Sequence, residues 1–226
     1  LQLLEFLPYD NIVKLDVPDN IPTDFWAAGK FFAYKKMQLG DVHIDGDVFI
    51  KTPMLLDRIK QGMASHDLIV QSIENSWVYE NEFYVNCLRV ITANNIHFDK
   101  INDYYTPAYN CGLIGFGNDE LKQKYIVHYL ESIKRIYTNA DAMAMIRSNN
   151  ETWMDLVCEQ QHLHTLAKGY KVYNLLGYGD ECNDNAKQLG YQHLLGPDKW
   201  KFIDKIQQQL YYVDRDIYNS VIKHFA

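Results

Sequence analysis

Apolar residues recur along this chain in short, punctuated stretches whose spacing predicts strands alternating with helices. Pro8, Pro18 and Pro22 keep the first two dozen residues extended or looped, with Ile12 to Val17 as a short strand. Thr23 or Asp24 then offers an N-cap for a helix from Phe25 to Tyr34, where nearly every residue is apolar or small and Lys30 is the only charge. After Gly40 the pattern shortens to strand length at Val42 to Ile44 and again at Val48 to Ile50, and Leu68 to Ile73 and Phe83 to Ile91 also read as strands rich in Val, Ile, Tyr and Phe. Asn118 or Asp119 opens a longer helix in which Leu121, Tyr125, Ile126, Tyr129, Leu130, Ile133 and Ile136 recur at helical spacing. A further helix runs from about Glu151 to Ala167 and stops at Gly169, and the tail from Trp200 onward is helical again. Strands alternating with helices indicate an α/β domain.

Between the two short strands stands Asp45-Gly46-Asp47, which puts two carboxylates one residue apart at the end of an apolar segment. Charges in such company must be paired, hydrogen-bonded or bound to metal. The pair can share one divalent cation, or it can form a tight Asp-Gly turn between two strands whose carboxylates cap backbone amides.

Composition narrows the field. The 226 residues are enough for one large or two small domains with a real core, and a net charge of -7 without a basic tract excludes a nucleic-acid surface as the main function. No run of about 18 apolar residues and no charged-then-apolar leader is present, so the chain reads as soluble. Cys87, Cys111, Cys158 and Cys182 include no Cys-x-x-Cys pair, which argues against a zinc ribbon or a thiol redox motif, and reduced thiols in a cytoplasmic protein are the default reading.

Four other clusters carry candidate chemistry. Lys30, in its apolar helix, needs an anion: a carboxylate of the protein, or a diphosphate held beside the same metal. Tyr109 to Gly117 holds three glycines, which permit close approach of a ligand or of another backbone, in an order unlike the dinucleotide fingerprint. Glu159, next to Gln160, lies one helical turn from both Leu156 and Leu163, so it should bond a sugar hydroxyl, act in catalysis or tie down a loop amide. In the fourth cluster, His193, Gly196 and Lys199 recur at intervals of three, where an imidazole suits a metal and a lysine suits a phosphate oxygen.

Together these motifs resemble a specific family. Asp45-Gly46-Asp47 is similar to the Asp-x-Asp motif of nucleotide-sugar-dependent glycosyltransferases with the GT-A fold. His193-x-x-Gly196-x-x-Lys199 is similar to the His-x-x-Gly-x-x-Lys motif of the retaining family that includes glycogenin and bacterial lipopolysaccharide galactosyltransferases. The likeness is nearest to bacterial glycosyltransferase-like proteins carrying Trp-Ala-x-Gly-Lys followed by His-Ile-Asp-Gly-Asp-Val-Phe, here Trp26 to Lys30 and His43 to Phe49.

The resemblance implies a GT-A-like α/β fold, a mixed sheet flanked by helices, forming a single domain over residues 1–226. Only about 40 residues precede the Asp-x-Asp element, so part of the amino-terminal nucleotide-binding segment is expected to be missing. It implies transfer of a sugar from a nucleoside-diphosphate donor to a carbohydrate or glycolipid acceptor, with retention, as in polysaccharide or lipopolysaccharide assembly. Asp45, Asp47 and His193 would hold Mn²⁺ or Mg²⁺. Lys30, Asp45, Asp47, Gly196 and Lys199 would bind the donor, Asn110 and Gly112 would line the sugar and acceptor pocket, and Glu159 and Gln160 would be catalytic, with Glu where relatives place Asp. Peripheral membrane association is compatible with such an acceptor; nucleic acid is not an expected partner. The rivals are a catalytically silent GT-A-like module that binds a glycan or a partner, and a metal-dependent phosphoesterase using Asp45 and Asp47.

Overall fold

The structure, a computed structural model, describes residues 9–74, 82–96, 98, 107–149, 152–179, 181–194, 202, 204, 207–208, 211–212 and 214–225. The chain divides into two units, Asp16–Gln192 and a smaller one made of Leu1–Leu15 with His193–Ala226.

In the larger unit, β1 (Val42–Ile44), β4 (Ala108–Phe116), β3 (Leu68–Glu74) and β5 (Val172–Asn174) form a four-stranded sheet in the order β1-β4-β3-β5. β4 runs antiparallel to both β1 and β3, whereas β3 and β5 are parallel. The carboxyl ends of β1, β3 and β5 therefore point the same way, and β4 returns between the first two. All nine residues of β4 are buried, which explains its unbroken run of apolar and small residues.

Two apolar clusters cover the two faces of this sheet. Leu68, Val70, Ile114 and Phe116 face the larger cluster, built with α1 (Ala28–Lys36), α3 (Glu82–Ala93), α4 (Asp119–Tyr137) and α5 (Ala140–Ser148). Ile69 and Leu113 face the smaller one, with Leu55 and Ile59 of α2 (Met54–Met63) and Leu189 of α7 (Glu181–Leu189). α6 (His162–Leu166) follows a π-helical segment, Leu156–Gln161, and α8 (Arg215–Phe225) lies in the smaller unit. There Asp214 Oδ1 accepts from Ile217 N at 2.9 Å, and Tyr211 packs edge-on to Tyr218.

The strands at 42–44, 48–50 and 68–74 and the long helix from Asp119 stand where the pattern put them, with Asn118 accepting from Leu121 N as its N-cap. Four expectations need correction. Residues 83–91 form the middle of helix α3, because Tyr84, Cys87, Leu88 and Ile91 share one buried face at helical spacing, and that burial overrides the β-branched composition. Ile12 to Val17 joins no ladder. Neither Thr23 nor Asp24 caps α1, which begins at Ala28 with its side-chain cap supplied from afar by Asp155 on Ala27 N, while Asp24 pairs with Arg147. The helix expected from about Glu151 to Ala167 is interrupted by the π segment, and Glu151 lies outside the described residues.

Among the described residues no helix is long and apolar enough to cross a membrane, and all four cysteines are free thiols.

Candidate functional site

The Asp-Gly-Asp element is not a hairpin. β1 pairs with β4, whereas β2 (Val48–Ile50) leaves that sheet and pairs with β6 (Tyr191–His193) in a separate two-stranded sheet. The turn is closed by Val48 N donating to Asp45 O at 3.1 Å and is pinned to β4 by Asp45 N donating to Gly112 O at 2.9 Å. It thus bridges two sheets at the carboxyl end of β1, where ligands of open α/β sheets gather.

The carboxylate of Asp45 does not cap backbone. His43 Nε2 donates to its Oδ1 at 3.0 Å, and Lys30 Nζ donates to its Oδ2 at 2.8 Å. Burial pushes the Asp45 carboxyl up, but the His43 hydrogen bond and the Lys30 charge outweigh it and hold the group below the usual range. Asp45 is ionised. The same ammonium reaches Glu159 Oε1 at 3.1 Å. Burial works against the charge on Lys30, and the carboxylates of Glu159 and Asp45 overcome it, so its pKa lies above that of an ordinary lysine.

Glu159 is completely buried within the π segment. Burial pushes its carboxyl up to about 7, against the pull of Lys30, and its Oε2 has no hydrogen-bond partner. One turn earlier, Asp155 is equally buried; Ala27 N and Tyr129 OH donate to it at 3.0 and 2.6 Å, and burial still raises it to about 6. A π-helical turn places one extra residue in the ladder and is frequent at functional sites. Here it lets Asp155 hold the start of α1 while Glu159 holds Lys30 in the same helix.

Asn110, Gly112 and Gln160 join this group through hydrogen bonds. The register of β3 against β4 shifts so that Val70 faces Ile114 while Ser72 faces Asn110, leaving a bulge on β4. Within it Asn110 Oδ1 accepts from Gly112 N at 3.0 Å, a local Asx turn that accounts for the Asn-x-Gly spacing. Asn110 Nδ2 donates to Glu74 Oε1 at 2.9 Å, Tyr84 OH approaches Glu74 Oε2 at 3.3 Å, and the same hydroxyl donates to Gln160 Oε1 at 3.0 Å. Burial raises the carboxyl of Glu74 despite the Asn110 and Tyr84 hydrogen bonds. Polar contacts therefore run from Asp45 through Gly112, Asn110, Glu74 and Tyr84 to Gln160, whose neighbour in the chain, Glu159, is joined through Lys30 to Asp45.

The other glycines of the β4 segment serve backbone packing: a Cβ on Gly115 would meet Val42 Cγ2 at 2.9 Å, and one on Gly117 would meet the carbonyl oxygen of His66 at 2.2 Å.

A carboxylate oxygen each from Asp45 and Asp47 and an imidazole nitrogen of His193, the last residue of β6, lie within 4.8 Å of one another. Ligands around Mg²⁺ or Mn²⁺ at ~2.1 Å stand about 3 Å apart when adjacent and about 4.2 Å when opposite, so this donor set fits a hard divalent cation after a small contraction. Each carboxylate oxygen of Asp45 keeps a second lone pair for such a bond. Gly196 and Lys199 lie outside the described residues.

His43, Glu74, Tyr84 and Asp155 were not singled out from the sequence as members of this group. Glu74 had a signal, an acid ending an apolar strand, and so did Asp155, an acid four residues before Glu159. Tyr84 had none, because one tyrosine among 17 is not distinguished by its neighbours.

A family described as a family of unknown function (DUF6734) matches residues 2–224. No curated protein and no solved structure matches the chain.

Proposed function

The chain belongs to the DUF6734 family, and we propose that it is a metal-dependent glycosyltransferase with a GT-A-like fold. It would move a sugar from a nucleoside-diphosphate donor to a carbohydrate or glycolipid acceptor with retention. The observation that carries this reading is the gathering of Asp45, Asp47 and His193 within 4.8 Å at the carboxyl end of β1.

Bound there, Mn²⁺ or Mg²⁺ supplies positive charge to a departing diphosphate. The chain's own residues prepare that site. His43 and Lys30 fix both oxygens of Asp45, so the carboxylate is oriented before any ligand arrives. Lys30 is itself held by Glu159, which in this reading is a positioning residue, and its ammonium offsets repulsion between two carboxylates. Asn110, Glu74 and Gln160 present amide and carboxylate groups suited to sugar hydroxyls, and Asn110 and Gln160 are more than nine-tenths buried, which keeps them rigid.

One observation favours the second reading, a silent module that binds a glycan. Lys30 already has two carboxylate partners, so it is engaged within the protein before any phosphate binds. A screen of nucleotide sugars with Mn²⁺, by thermal shift and by release of nucleoside diphosphate, separates the readings. A transferase shows a donor-induced shift and slow turnover in the wild type, both lost in Asp47→Ala and His193→Ala. Glycan binding without nucleotide release supports the module, and a wild type with neither donor shift nor turnover sinks the transferase.

A further inference from the structure

We propose that Trp26, with the open backbone at Gly29, is a stacking platform for the pyranose ring of the sugar handled at the Asp45 site. The proposal rests on the transferase reading and names a part of the ligand that the Asp45, Asp47 and His193 group does not reach.

Trp26 is 56% exposed, an unusual position for the largest apolar side chain, yet its backbone is rigidly held. Ala27 N donates to the buried carboxylate of Asp155, Ala28 N bonds Phe25 O at 3.1 Å, and Lys30 N bonds Ala27 O at 2.9 Å. Phe25 is buried on the other side and packs edge-on to Tyr137. The indole therefore projects from a fixed turn, and ordering it for a ligand costs only its own two side-chain torsions.

Lys30 connects this ring to the candidate site. Its ammonium touches Asp45 Oδ2 at 2.8 Å and Glu159 Oε1 at 3.1 Å, and lies 5.6 Å from the indole centroid. Gly29, three residues after Trp26 and beside Lys30, has nothing within 4 Å of the place a Cβ would take. It stands in helix α1, where glycine is less favourable than alanine, and no neighbouring atom of the protein demands its small size. Open space beside an exposed aromatic ring on a fixed backbone and a polar, charged cluster is the arrangement an amphipathic ring requires: its C–H face lies on the indole while its hydroxyls bond carboxylate and ammonium. Carboxylates outnumber the ammonium here, which favours a neutral pyranose over a bare anion at this spot.

The test uses the full chain labelled with 5-fluorotryptophan. Its four tryptophan signals are followed by ¹⁹F NMR, and the Trp26 signal is identified by its loss in Trp26→Phe. UDP-glucose, UDP-galactose and GDP-mannose are titrated with Mn²⁺, alongside UDP and GDP. A sugar nucleotide that binds moves the Trp26 signal, and the bare nucleotides do not. Trp26→Ala weakens that binding about tenfold or more, Trp26→Phe retains most of it, and Gly29→Val weakens it without lowering the melting temperature. A sugar nucleotide that raises the melting temperature with the Trp26 signal unmoved, or Trp26→Ala binding as tightly as wild type, overturns this proposal and leaves the transferase standing. Equal movement by UDP or GDP assigns the ring to the base and overturns the sugar. If no sugar nucleotide either shifts the melting temperature or moves a signal, both readings fall together.

Discussion

Lys30 shows how one side chain decides the state of its surroundings. Its ammonium is the shared partner of Asp45 and Glu159, so Lys30→Met leaves two carboxylates facing each other in a largely buried setting. Breaking such a pair costs about 3–5 kcal/mol, read as a fall in the urea midpoint. Adding Glu159→Leu to Lys30→Met should recover part of that loss, and strict additivity would rule out the coupling. A second prediction concerns acid. Burial holds the His162 imidazole down at about 3, so below roughly 6.5 the unfolded chain takes up a proton that the folded protein refuses. Its contribution to stability is present above that value and is lost as pH falls towards 3, by up to about 1.4 kcal/mol per pH unit. Asp155 works in the opposite sense. Burial raises it to about 6, so its contribution is full below the unfolded-state value near 4 and is lost as pH rises through 6. In urea titrations across pH 3.5 to 8, His162→Phe flattens the acid-side loss. Asp155→Asn gains on wild type between pH 4 and 6; parallel curves would refute both assignments. The need of Lys30 for an anion was legible in the sequence, but the identity of that anion was not, because Glu159 is 129 residues away.

At the scale of elements, the two short strands around Asp-Gly-Asp and the long helix from Asp119 were readable from periodicity. α3 was not, because β-branched and aromatic residues at 83–91 fit strand statistics while their spacing of three and four marks a buried helical face. The π segment was equally hidden, since its sequence continues an ordinary helical pattern and only the paired demands of Ala27 N and Lys30 on Asp155 and Glu159 reveal it. Glycines illustrate the same limit. A methyl on Gly117 meets the His66 carbonyl at 2.2 Å, backbone that cannot easily move, so Gly117→Ala should cost about 3 kcal/mol and lower the melting temperature by several degrees. Gly46 has nothing within 4 Å of a new methyl, and its φ is not in the left-handed region. Gly46→Ala should melt within a degree or two of wild type, and a large loss would mean that the Asp-Gly-Asp turn needs its glycine for backbone reasons.

At the scale of the molecule, the candidate metal site is a convergence of β1, its turn and the end of β6. Metal that binds only the folded chain stabilises it by about 2.7 kcal/mol at a hundredfold excess over its dissociation constant. Millimolar Mn²⁺ should therefore raise the melting temperature of wild type and leave Asp47→Ala unmoved; an equal rise in both would place the ion elsewhere. What the sequence determined by itself was local: which segments bury one face, where turns fall, and that charges at Lys30, Asp45 and Glu159 in apolar company must find partners. Those consequences follow from the spacing of neighbours along the chain and from the cost of burying a charge. Only the tertiary structure decided that β1 and β2 belong to different sheets, that Lys30 joins Asp45 to Glu159, and that Glu74 and Tyr84 link Asn110 to Gln160. These pairings depend on contacts between residues far apart in sequence, whose closure is set by the packing of the whole sheet between its two apolar clusters.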